Sequence, residues 1–587
     1  MAALGATLMV ACGDDEDGNG NPGGGAGEAG EAGTAGSGGK NTSGAGGTST
    51  SGSSGMNTGG STAGSSNDAG MGNTSMGGEG GTAPVDGGAG GQGGNGEEPP
   101  PAPITPVSAE IYTQASDLRG LFYTTDGKLY ASGHVGTSTA VDKKIVVARF
   151  DADGEPDTTF GGDGFIELNL VERTIDTVAE PDVVTNDGNE ESIGIVELAS
   201  KELLVQVNVR DVNGKGTDVG LLKLSATGEP VTGFGTNGLK RLVLGWDPAD
   251  DATWAAIAGV PATPGAPADT AWGLELDNST ATEKVVVFAF GPAPMGSMTG
   301  TPAVQRIDND RYVLRVLTSD GSNDPAFNAA APFVYNSGGT FSDGGRRGLV
   351  YPDGSILSGG YTNFGEGLGN HIVAIKLTPA GTRDMTFGHG IVDRGVARSN
   401  PFVDDGGAAE CYAVTLQSSG RIVSTGYGRA TKAGVASSYP GYVTTDAVDM
   451  ISVAFTANGG AVDTTFGIEG TRVIQSEEAG LGNTEDRGRD LLALADDRIV
   501  YAGRYGTDPA LFVVEKDGSY DPDNDVGYLF RYDPLGTVGD PNAVPPVPAV
   551  PTSHFYRVAQ SKDGKRIFAT TSNHADGVIL AVLQVGE

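Results

Sequence analysis

The sequence predicts an all-β fold, a β-propeller of about seven four-stranded blades, behind a disordered Gly/Ser-rich tether. Three observations predict it. Apolar strand segments punctuated by Asp-Gly turns recur at a spacing of about 70 residues, four strands to a unit. A compact Phe-Gly knot returns in most units. The ends are also complementary: the last unit stops after a third strand, Val578–Leu583, and the folded part opens on an orphan strand, Ser108–Tyr112. If the orphan completes the last blade, the ring closes and no sheet edge is left open.

The chain begins with a short apolar run, Met9-Val10-Ala11-Cys12, followed at once by Gly13-Asp14-Asp15-Glu16-Asp17. No Lys or Arg precedes the run, which is short for a secretory signal. A start upstream of Met1 would account for both. Residues 13–104 are Gly, Ser, Thr, Ala, Asn and acids with almost no large apolar side chain, so burial cannot offset ordering entropy. As a flexible coil this stretch spans about 50 Å, a tether that holds a folded head away from its anchor. The folded part is expected over 105–587, and no run is apolar enough for a spanning helix.

Each unit then reads strand, Asp-Gly turn, strand, loop, strand, Gly turn, knot, strand. The knots are Asp157-Thr158-Thr159-Phe160-Gly161, Val231-Thr232-Gly233-Phe234-Gly235, Asp324-Pro325-Ala326-Phe327-Asn328, Asp384-Met385-Thr386-Phe387-Gly388 and Asp463-Thr464-Thr465-Phe466-Gly467. Their phenylalanines are expected to anchor strands against each other. The Asp126-Gly127, Asp353-Gly354 and Asp563-Gly564 pairs suit tight hairpins, since both residues tolerate positive φ. The stretch Trp246–Pro267 and the Pro/Val-rich run Pro541–Pro551 interrupt the pattern and read as surface loops, where binding residues concentrate.

These residues resemble the delta-60 repeat, a β-propeller repeat of bacterial surface and secreted proteins. The match runs through Asp126-Gly127-Lys128-Leu129-Tyr130-Ala131-Ser132-Gly133, Ala148-Arg149-Phe150, Asp153-Gly154, the first knot and Gly164. It covers 105–587, clear in units 1, 4 and 5 and eroded in units 3 and 6. The N-terminus resembles a bacterial lipoprotein signal over 1–12, which implies lipidation at Cys12. Together they imply a cell-envelope setting, at the outer membrane or cell surface, with membrane contact through a lipid anchor only. The repeat implies no catalytic residues.

The net charge of -37 argues against nucleic acid and against anionic lipid, which require clustered Lys and Arg. Of the candidate sites, Asp521, Asp523 and Asp525 space carboxylates as calcium loops do. Gly527 comes one place late for such a loop and no Glu follows at its twelfth position. No other cofactor is indicated. Asp151, Asp153 and Asp157 have similar spacing but belong to the repeat. Arg119, Arg347, Arg489 and Arg557 recur near the first strand of four units, where they either ring an anion in the central channel or pair with Asp117, Asp343, Asp486 or Asp490. The five His (134, 371, 389, 554, 574) show no metal spacing, and Cys411 alternates as a buried thiol. No Gly-x-Ser-x-Gly elbow, Walker loop or dinucleotide fingerprint occurs. The sequence therefore reads as a lipoprotein whose propeller binds or adheres to protein or polysaccharide. The rival reading is a propeller enzyme (lyase, lactonase or quinoprotein-like) with its site at the channel mouth.

Overall fold

The computed structural model describes residues 101–586 apart from 137–141, 179–182, 211–215, 247–267, 300–302, 307, 339–341, 365–368, 389–393, 431–438, 441, 443–446, 477–484, 523–525, 533–552 and 573–576. The described residues form five separate antiparallel four-stranded sheets, an eight-stranded sheet that divides at the single Asp117–Ser572 pair into two more blades of four, and two small hairpins. Blade 1 is Asp117–Tyr123, Leu129–Val135, Lys144–Phe150 and Phe165–Leu168; blade 2 begins at Glu190–Glu197, blade 3 at Thr270–Asp277 and blade 4 at Asp343–Val350. Blade 5 begins at Ala408–Leu416, blade 6 at Arg487–Ala493 and blade 7 at His554–Gln560. Each first strand packs beside the first strands of the two neighbouring blades, and the cycle returns from blade 7 to blade 1. The molecule is a seven-bladed β-propeller.

The closing strand is longer than the orphan read from the sequence. Ile104–Tyr112 pairs antiparallel with Val578–Val585, from Ile104 opposite Val585 to Tyr112 opposite Val578, with a bulge between Pro106 and Ser108. The N-terminal strand thus becomes the outermost strand of blade 7, and the fold begins at Ile104. Its entry is fixed by Arg498 Nη2, which donates to Ala102 O at 2.7 Å, and by Gly586 N–H to Pro103 O at 2.7 Å.

The core lies between blades. Seven apolar clusters fill the seven blade interfaces: Phe150, Phe568 and Val582 across blades 1 and 7, for example, or Val196, Leu221 and Leu314 across blades 2 and 3. The knot explains the period of the repeat. Asp157 accepts from Thr159 N–H and Oγ1 within the knot at 3.0 and 2.6 Å. Arg149 from the third strand pairs with Asp157 at 2.8 Å and stacks 4.7 Å over Phe160. Arg315 repeats this with Asp324 and Phe327. In blade 5 the equivalent of Arg149 is Ala454, and Arg421, reaching from the start of the second strand, pairs with Asp463 at 2.7 Å in its place.

The knot phenylalanines join neighbouring blades as well as strands of one blade. Phe160, Phe234, Phe327, Phe387 and Phe466 each lie against the turn glycine of the next blade, Gly228, Gly321, Gly381, Gly459 and Gly518. These glycines all have positive φ. Backbone bonds complete the lock, as in Gly388 N–H to Asn458 O at 3.0 Å and Gly467 N–H to Asp517 O at 2.7 Å.

The hairpin turns differ from the tight two-residue form. Gly127 has φ +84° but Asp126 does not have positive φ, and the turn closes through Thr124 N–H to Lys128 O at 2.8 Å. Only one left-handed residue is needed, which is why Lys201 and Asp497 fill that place in blades 2 and 6.

Candidate binding face and axial cluster

Strands alternate in direction, so each face of the ring carries one kind of connection. One face holds the first-to-second turns, such as Thr124–Lys128, and the knots. The other holds the second-to-third and blade-to-blade connections, which run from Gly506-Thr507 at the shortest to 169–189 and 242–269. Variation in length is concentrated on this loop face. Two inserted hairpins also stand there, Thr174–Asp176 with Val183–Asn186 and Met298–Thr299 with Val304–Gln305. They expose apolar side chains: Ile175, Val184, Met295, Met298 and Val304 are each 43–55% exposed. The chain enters the propeller on the opposite, turn face, at Ile104.

The axis is built by a device that the repeat pattern did not reveal. Every first strand carries a β-bulge at the same place, falling between Leu118 and Gly120 in blade 1 and between Phe555 and Arg557 in blade 7. The residues pushed out of register are Arg119, Ile193, Trp272, Arg346 with Arg347, Tyr412, Arg489 and Tyr556. A bulge re-aims its side chain, and here it brings side chains of non-adjacent blades into contact. The Trp272 ring lies 5.8 Å from Tyr412 and 6.4 Å from Tyr556. Arg346 stacks 4.1 Å over Trp272 and 4.7 Å over Tyr412, and Arg489 stacks over Tyr412 at 4.6 Å and Tyr556 at 5.4 Å. Arg347 of blade 4 crosses to Asp490 of blade 6 at 2.8 Å, and Asp490 also meets Arg557 of blade 7 at 3.6 Å. All these residues are buried.

The four arginines singled out by sequence therefore do come together, but as members of a mixed cluster. Arg119 pairs with Asp117 at 2.7 Å, as the pairing alternative expects. Arg347 and Arg557 share Asp490, and Arg489 contacts His554 at 3.5 Å. Asp343 and Asp486 serve differently, accepting from Ser337 N–H at 2.8 Å and Ser476 N–H at 2.6 Å to tie down the connections before their strands. Sequence reasoning missed Trp272, Arg346, Tyr412 and Tyr556, because the signal is a one-residue register shift rather than a motif.

Electrostatics follow from burial. Burial, and then the nearby Arg489, Arg504, Arg487 and Arg119, keep His554 well below the usual histidine range, hence neutral. Glu275 is pushed up to about 7 by burial, against the pull of Arg557 and Arg347. Beside the axis, burial would raise Glu191, but Lys143 at 2.6 Å and Arg119 hold it at about 2.

Among the remaining candidates, Asp521 closes a backbone bridge with Val526, while Asp523 and Asp525 lie outside the described residues, as does Cys12. Asp151 caps its own turn by accepting from Asp153 and Glu155 N–H. Among the described residues no group of three His, Cys, Asp or Glu is placed to hold a metal. Cys411 is fully buried, with its thiol pushed up to about 12 by that burial. His134 and His371 are buried, and His389 and His574 fall outside the described residues. Trp246, read as the start of a surface loop, is buried and donates to Ala293 O at 2.8 Å. The rest of that loop, and 541–551, lie outside the described residues.

No family profile matches the chain, and no curated protein matches it. Among solved structures it is similar to the Hadza microbial sialidase Hz136, at 11% identity over 76% of this chain and 74% of that one, TM-score 0.36. An α-L-arabinanase of Penicillium chrysogenum complexed with arabinobiose gives 11% identity over 82% and 97%, TM-score 0.34. PorZ, a surface component of the type-IX secretion system of Porphyromonas gingivalis, gives 12% over 82%, TM-score 0.33, and this chain spans about half its length.

Proposed function

We propose that the chain is a lipid-anchored cell-envelope protein of the delta-60 repeat type. Its propeller serves as a non-enzymatic binding or adhesion platform for protein or polysaccharide. One observation carries the reading. The turn face keeps connections of near-constant length and receives the chain at Ile104, whereas the loop face gathers the variable connections and the exposed apolar hairpins. Such a division leaves one face to hold the ring together and frees the other for ligand. Lipid at Cys12 and the acidic coil beyond it would hold that face off the membrane.

The full-length chain, immobilised through its N-terminal segment, is challenged with purified envelope polysaccharides and envelope protein fractions. Saturable binding that disappears when 298–305 is replaced by a Gly-Ser turn supports the platform. Chemical turnover of a polysaccharide by the chain overturns it in favour of a propeller enzyme, and the absence of saturable binding to any of these fractions overturns it outright.

A further inference from the structure

We propose that the axial cluster of Trp272, Tyr412, Arg346 and Arg489 is a binding site for an oxyanion, the carboxylate or sulfate group of a small ion or of an acidic sugar. Trp272 Nε1 is a donor and can be nothing else. It is buried and has no hydrogen-bond partner, and the same holds for the Tyr412 hydroxyl. A buried donor left unsatisfied forfeits the bonds it made to water in the unfolded chain. Here two such donors belong to side chains in contact, with ring centroids 5.8 Å apart.

Around these two donors the charge is positive. The Arg346 guanidinium stacks on both rings, and Arg489 stacks on Tyr412 from the blade 6 side. Of the acids of the axis, Asp490 holds Arg347 and Arg557, Asp117 holds Arg119 and Glu191 holds Lys143, while Glu275 lies toward Arg557 and Arg347 and is pushed up by burial. Glu410 accepts from the Tyr427 hydroxyl at 2.9 Å and from Asn370 at 2.7 Å. Burial, and then the guanidiniums around it, keep His554 neutral, in keeping with a positive surrounding. Donors without acceptors, in a positive field and bounded by aromatic faces, suit an oxygen-bearing anion, since charge-assisted bonds to guanidinium are about twice as strong as neutral ones. A metal cation or a cationic ligand is disfavoured by the same inventory. The inference depends on the platform reading only for the acidic sugar as the natural source; the site itself is independent of it.

The test uses the full chain in chloride buffer, titrated by calorimetry with sodium sulfate, sodium glucuronate or glucose at matched ionic strength. Sulfate and glucuronate are expected to bind saturably, and glucose not at all. Trp272→Phe and Tyr412→Phe keep the rings and remove one donor each, and each is expected to weaken binding about tenfold, the worth of one hydrogen bond. Thermal unfolding in chloride checks that both variants fold. Heat no different from the chloride control overturns the site. So does wild-type affinity in both variants, since the donors would then be idle. Sulfate binding without glucuronate binding keeps the oxyanion site and rejects the acidic sugar. Small-anion binding with no capture of envelope polysaccharide leaves the site standing and sinks the platform.

Discussion

Gly459 shows how much of this ring depends on single atoms. Its φ is +63°, and an added Cβ would lie 2.3 Å from the Phe387 ring of the preceding blade. A side chain at positive φ costs about 1–2 kcal/mol, and overpacking adds about 1–3 kcal/mol. Gly459→Ala should therefore lose about 2–5 kcal/mol in urea unfolding of the full chain, combining those two costs. Gly162, with φ +98° and nothing within 4 Å, supplies the control. Gly162→Ala should lose only the backbone share, about 1–2 kcal/mol, and equal losses at both sites would mean that the interblade contact carries no weight. Glu191 gives the second test at this scale. Its folded pKa is depressed to about 2, so its pairing with Lys143 and Arg119 stabilises the fold above the unfolded value of about 4.3. That stability drains away as pH falls from about 4.3 toward 2. Glu191→Gln should be clearly less stable than the parent at pH 7, with the gap in Tm narrowing steadily below pH 4.3. A gap that stays constant down to pH 2 would show that the ion pair is not its origin.

At the level of elements, the closing strand is the one whose removal should matter most. Deleting 101–112 strips Ile104–Tyr112 from blade 7 and exposes the edge of Val578–Val585, an invitation to pair with another chain. The truncated protein should oligomerise on size-exclusion chromatography, and a synthetic Ile104–Tyr112 peptide should return it to monomer. A monomeric truncation with unchanged Tm would mean that the seventh blade does not need its fourth strand. This element was legible in the sequence because a missing fourth strand and an orphan strand are both countable. The knots were legible too, since Asp157, Thr159 and Phe160 recur with fixed spacing. What they grip was not: Phe160 meets Gly228 of the next blade, a contact between units that a single-unit pattern cannot display. The turns were misjudged for a related reason. Asp-Gly is compatible with a two-residue hairpin, but the longer turn needs only one left-handed residue, so Lys201 and Asp497 can serve. The axial cluster was half legible. Arg119, Arg347, Arg489 and Arg557 could be aligned by eye, whereas Trp272, Tyr412 and Tyr556 share only a bulge position, and a bulge is a property of the pairing rather than of composition.

For the molecule as a whole, the two faces make the proposed role testable without knowing the ligand in advance. Strand direction puts the entry of the chain, at Ile104, on the turn face, so an anchor reached through the N-terminal segment would leave the loop face free. Substitutions should then divide by face rather than by distance from the axis. On the loop face, Met298→Ser with Val304→Ser removes two exposed apolar side chains and should weaken attachment of the full-length protein to envelope material, with Tm unchanged, because neither residue is buried. On the turn face, Asp353→Asn should behave in the opposite way. Its carboxylate accepts from Ser355 N–H and Oγ and is held below the usual range by those bonds, so its loss should lower Tm and leave attachment alone. Surface plasmon resonance on immobilised envelope polysaccharide, with both variants run beside the parent, reads the two effects separately. If Asp353→Asn impairs attachment at a temperature where it is fully folded while the Met298/Val304 pair does not, the ligand face is the turn face. The platform would then have to be rebuilt with the tether on the binding side.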